Sequence, residues 1–183
     1  MFYGDRALGV YLEMLAYLDG DDDGFVWIVD SNQRSVEAPV QSLFPGAAVA
    51  VEASLHGEEA FRRGWLRLSR ELSDTEYASL IDRIPKWQTG VHLAAEVLLA
   101  LGPASVVFGP TNPAYPTTLA YATADRATPM VLFYFGHRSR SAEFDPSARV
   151  SLVAIRIADG KFPGGRVFPC QEAETVADDR SAS

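Results

Sequence analysis

The stretch MVLFYF, residues 130–135, is the longest unbroken apolar run in the chain, and its reading decides the fold. Six residues are too few for a buried helix, and three of the six are aromatic. The run therefore reads as a central strand covered on both faces. Residues 104–108, 118–124 and 150–157 read as three further strands, set off by segments bearing Pro, Gly, Asn and Asp.

Upstream of these strands the apolar period changes. Phe61, Trp65, Leu68 and Leu72 fall at i, i+4, i+7 and i+11, which predicts one helix, with Glu58 and Glu59 in its first turn. Ser73-Asp-Thr-Glu76 is a capping box for a second helix carrying Tyr77, Leu80, Ile81 and Ile84, which Pro85 is expected to end. A third helix is expected over residues 88–101, closed by Gly102-Pro103. It is apolar nearly all round and so belongs at the centre of the fold. Towards the N-terminus, residues 25–29, 35–43 and 47–55 read as strands, with Phe44-Pro-Gly46 as a turn. Residues 5–18 fit a helix and a strand equally well: Leu8, Tyr11, Leu12, Leu15 and Leu18 have helical spacing, and the even-numbered positions alternate.

The implied fold class is α+β, a largely antiparallel sheet with about three helices from the middle of the chain packed on one face. Residues 1–168 form one globular domain in this reading. Residues 169–183 hold almost nothing to bury and read as a disordered acidic tail.

Composition narrows the function classes. The chain has 183 residues, 24 acidic against 16 basic, and a formal net charge of −8. Nucleic-acid binding needs a concentrated basic face, so it is disfavoured. An acidic surface suits a basic protein partner, or serves solubility. No apolar run approaches the roughly 20 residues that span a bilayer, and MFYGDRALGV does not read as a secretory signal. Cys170 is the sole cysteine, so neither a disulfide nor a zinc knuckle can form within the chain. A cytoplasmic location is expected. Fourteen of the 16 basic residues are Arg, a usage that suggests a GC-rich bacterial genome.

Three constellations can carry chemistry. Asp19, Asp21, Asp23 and Asp30 occupy positions 1, 3, 5 and 12 of a calcium-type loop, with Gly24 at position 6. The segment after it is β-like, and the last ligand is Asp where such loops use Glu, so an acidic turn is expected and no metal. With Trp27 beside them, Asp21 and Asp23 form a candidate protein-binding patch, provided Trp27 is exposed. His92 and Glu96 are the only polar residues between Val91 and Leu101 and lie at i, i+4, a spacing that suits an oriented acid–base pair. His137, Arg138 and Arg140 sit in a polar segment between two strands, where two arginines at i, i+2 can clamp a carboxylate or phosphate. Walker, dinucleotide, nucleophile-elbow and zinc-protease motifs are absent, and no cofactor is expected. Two functions follow. The first is an acidic bacterial protein-binding module of the immunity or antitoxin-like kind. The second is a small enzyme using His92 and Glu96.

Overall fold

The computed structural model describes residues 48–110, 112, 114–137, 150–160 and 165–170. The expected strands at 25–29 and 35–43, the segment 5–18 and residues 171–183 lie outside them.

Five strands form one antiparallel sheet: β1 (Val106–Phe108), β2 (Thr117–Tyr121), β3 (Val131–Gly136), β4 (Ser151–Ile157) and β5 (Arg166–Pro169). Each pairs with the next in sequence, so the order across the sheet is β1-β2-β3-β4-β5. The apolar run at 130–135 is the middle strand, buried along its whole length. Side-chain alternation divides the sheet into two apolar faces. Thr118, Ala120, Leu132, Tyr134, Ala154 and Arg156 point one way. Leu119, Tyr121, Val131, Phe133, Phe135 and Ile155 point the other. A register shift between Tyr134 and Phe135 turns Leu152 to the second face as well, although it lies three residues from Ile155. On that face the Tyr121 and Phe133 rings meet edge-on with centroids 5.7 Å apart. Such a pair contributes about 0.5–1.5 kcal/mol beyond its area.

Among the described residues, three helices cover the two faces: α1 (Ala48–Arg62), α2 (Asp74–Trp87) and α3 (Ala94–Leu101). The α+β class and the antiparallel sheet are those read from the sequence. The expectation of helices on one face describes α2 and α3, whose Leu80, Ile84 and Val97 join the second face. α1 lies on the first face through Val51, Leu55 and Phe61.

Four local expectations need correction. Residues 48–55, read as part of a strand, belong to α1; residue 47 lies outside the described residues. Ala50, Val51, Ser54, Leu55, Glu58 and Phe61 are buried, a 3.6-residue period in which Ser54 and Glu58 stand at core positions and hide the stripe. The expected helix through Leu72 does not form either. Gly64, at φ +75°, takes the left-handed conformation that ends α1, and Trp65 is half exposed. α2 runs two residues past Pro85, which in the last turn removes only one backbone bond. α3 begins at Ala94 and not at 88, because Gly90 turns the chain at φ +88° and the His92 carbonyl accepts from Leu152 N at 2.8 Å, next to β4. Nor is α3 central: Val97 is its one buried residue.

The fifth strand was not read from the sequence. β5 completes one edge of the sheet, and Cys170 N donates to the Val153 carbonyl at 3.0 Å, so pairing reaches two residues beyond Phe168.

The capping box at Ser73 forms as read. The Ser73 hydroxyl accepts from Glu76 N at 3.3 Å, and Glu76 Oε2 accepts from Ser73 N at 2.8 Å. Ser73 N and the Ser73 hydroxyl, both donating to Glu76 Oε2, and Arg70, donating to Oε1, hold the Glu76 carboxyl below its ordinary value. Ser73→Ala is expected to destabilise the protein by about 1 kcal/mol in urea unfolding. An unchanged midpoint with an unchanged slope would contradict the cap.

Candidate functional site

Three places carry enough chemistry to be considered: the buried charges beneath α1, the His92–Glu96 pair, and the outer surface of α3.

Beneath α1, Ser54 and Glu58 are one helical turn apart and both face the sheet. Arg156 of β4 lies opposite, and its Nη1 donates to Glu58 Oε2 at 2.6 Å, with both side chains about 5% exposed or less. Ser54 Oγ donates to the Val51 carbonyl at 2.6 Å and lies 3.4 Å from the Tyr134 hydroxyl. Cross-strand pairing sets Thr118 beside Tyr134, and Leu132 beside Arg156. Glu58 Oε1 and Thr118 Oγ1 are buried without a hydrogen-bond partner among the described residues. Burial pushes the Glu58 carboxyl up from its ordinary value, against the pull of Arg156. Burial also opposes the Arg156 charge, yet Glu58 and Tyr134 hold that guanidinium above its usual value. The neighbouring Glu59, 1% exposed, is held by Arg62 of its own helix and by Arg63 just beyond it. No sequence motif marks this cluster. Its one signal is a single charge of each sign set into two otherwise apolar patterns.

His92 and Glu96 meet as their spacing implies, Nδ1 to Oε2 at 3.3 Å. The other ring nitrogen lies 2.8 Å from the Thr89 carbonyl, and the imidazole packs edge-on against Trp87 with centroids 4.8 Å apart. Leu93 N also donates to Glu96 Oε2, at 3.3 Å. Both imidazole nitrogens thus face acceptors within the chain, and the pair joins the end of α2 to the start of α3. His137 follows β3 directly and is half-buried. Arg138, Arg140, Asp19, Asp21, Asp23, Trp27 and Asp30 lie outside the described residues. Among the described residues no three His, Cys, Asp or Glu side chains gather as metal ligands.

α3, AAEVLLAL, presents Ala95, Leu98, Leu99 and Ala100 outward, with Leu98 38% and Leu99 89% exposed. Its C-terminus is nevertheless firmly tied. Arg83 donates to the Ala100 carbonyl at 3.1 Å, Arg70 to the Leu101 carbonyl at 2.8 Å and the Pro103 carbonyl at 2.9 Å, and the Tyr121 hydroxyl to the Gly102 carbonyl at 3.1 Å. Cationic side chains on these last carbonyls also suit the helix dipole.

Comparison with protein-family models, with curated proteins and with solved structures finds no match. No helix among the described residues is long and apolar enough to cross a membrane.

Glu58 generates a pH dependence with a definite sign. Its carboxyl binds a proton more tightly in the folded state than at the ordinary value of 4.5. The stability it contributes is therefore fully present below about pH 4.5 and is lost as pH rises through the folded-state value. Relative to Glu58→Gln, which stays neutral, the native chain should lose stability over that interval in urea unfolding at stepped pH. A difference that grows with pH would mean that the attraction of Arg156 outweighs burial.

Proposed function

We propose that this chain is a protein-binding module, an acidic bacterial protein of the immunity or antitoxin-like kind that occupies a basic partner. The observation that carries the reading is α3: eight residues, one buried, with two leucines turned to solvent on a helix whose end four side-chain hydrogen bonds hold in place. A rigid, contiguous apolar surface of this kind suits an interface better than it suits a free surface. The net charge of −8 supports a partner of opposite sign, which such a field draws in faster.

Leu99→Glu places a charge at the most exposed large apolar side chain among the described residues without touching the core. A partner recovered with the native chain from its host should bind this variant about tenfold or more weakly, mostly through faster dissociation, and its association with the native chain should slow as salt is raised. Unchanged kinetics in surface plasmon resonance would remove α3 from the interface.

The 3.3 Å contact between His92 and Glu96 supports an acid–base enzyme as the second reading. Turnover of a small molecule that is lost in His92→Ala, with the fold intact, would put that reading first.

A further inference from the structure

Just beyond α1 the side chains of residues 65–69 alternate. Leu66 and Leu68 pack on the core, and Trp65, Arg67 and Ser69 face out. Trp65 is 50% exposed. Guanidinium groups from three parts of the chain gather around it. Arg63 lies over the ring, 5.8 Å from its centroid, in cation–π geometry. Arg126, from the turn between β2 and β3, lies against Gly64, where any side chain would run into it. Arg67 follows Trp65 on the same outward side.

Nearby carboxylates leave this cluster positive. Glu59 is buried and holds Arg62 and Arg63, and those two arginines and Trp65 have further partners besides. Asp125 accepts from Ala127 N at 3.0 Å and from the Thr128 hydroxyl at 3.1 Å, so its carboxylate shapes its own turn. Glu71 is exposed, four residues past Arg67. Among the described residues, Arg67 and Arg126 make neither a hydrogen bond nor an ion pair, and both are exposed.

Charge is spread unevenly along the chain, and that selects the occupant. The described residues hold ten acidic and nine basic side chains, so they contribute almost nothing to the net −8. Residues 1–47 hold eight acidic against two basic, and residues 171–183 four against one. Asp19, Asp21, Asp22 and Asp23 stand together, followed by Phe25 and Trp27. Carboxylates followed by aromatic rings complement guanidinium forks beside an indole. The acids of residues 171–183 come with no aromatic residue. Residues 19–27 lie outside the described residues, and chain length lets them reach Trp65. Asp23 precedes Ala48 by 25 residues, up to about 80 Å of extended chain. The path along α1 to Arg62 is only about 22 Å. A tethered segment meets its surface at an effective concentration on the order of 1 mM, so a few contacts suffice.

We infer that residues 19–27 dock on the Trp65 surface of their own chain, with the aspartates on Arg67 and Arg126 and an aromatic ring of the segment on Trp65. The contact does not involve α3 and does not rest on a protein partner there.

A nitroxide attached through Ser31→Cys, in a Cys170→Ser background, reports the contact in the isotope-labelled full chain. Amide signals of residues 63–67 and 125–127 should lose intensity selectively. About 1 M salt, which shortens the screening length to about 3 Å, should restore most of it. Arg67→Glu/Arg126→Glu should restore it as well. Asp21→Asn/Asp22→Asn/Asp23→Asn should do the same, and carries the test if the arginine variant fails to fold, because it leaves the surface untouched. Full intensity in that region, or a loss that persists in salt or in a folded variant of either kind, would overturn the assignment. So would an equal loss when isotope-labelled chain without nitroxide is mixed with unlabelled chain that bears it, since the occupant would then be a second copy.

Discussion

Two opposite charges are buried between α1 and the sheet, and the position of α1 depends on keeping them together. Arg156 cannot shed its proton, and it stands in the middle of an apolar strand face. Glu58 is the carboxylate that meets it there. Neither ion is tolerable alone in that setting, since an unpaired buried charge is worth several kcal/mol of destabilisation. Apolar contacts from Val51, Leu55 and Phe61 supply the bulk attraction of helix to sheet, but they are not directional. The ion pair is directional. A helix rotated or slid by one residue would keep much of its apolar contact and would lose the bond between Glu58 and Arg156. The buried pair thus selects one docking among several of similar hydrophobic merit.

The same pair explains what was hard to read in the sequence. The sheet was legible, because β2, β3 and β4 carry apolar runs bounded by turn residues, and β3 lies at the centre as its unbroken run requires. α2 was legible because its cap and its stripe agree. α1 was not, because Ser54 and Glu58 occupy core positions and break the apolar period, leaving fragments that resemble a short strand and a later helix. The early part of α3 was misread for a different reason. Apolar residues near His92 serve an extended segment pinned to β4, a long-range contact that local periodicity does not encode. β5 escaped notice because four residues ending in Pro169 show little alternation.

Site legibility followed a similar division. The spacing of His92 and Glu96 gave their contact correctly, since i, i+4 geometry is local. What that contact does depends on Trp87 and Thr89, and their place beside it comes from the turn at Gly90. The outward leucines of α3 were visible in sequence only as hydrophobicity, which by itself points inward. Arg70 and Arg83, from outside the helix, are what make an exposed apolar helix end tenable, because they satisfy the carbonyls that end would otherwise leave open.

The central claim is that Glu58 and Arg156 act as one unit in placing α1. A double-mutant cycle at neutral pH, read by urea unfolding of Glu58→Leu, Arg156→Met and the pair combined, addresses it directly. Each single substitution should cost about 3–5 kcal/mol by stranding its partner, and the double variant, with both ions replaced by apolar groups, should cost far less than the sum. Costs that simply add would show that the two residues act independently and that α1 is held in place by its apolar contacts alone.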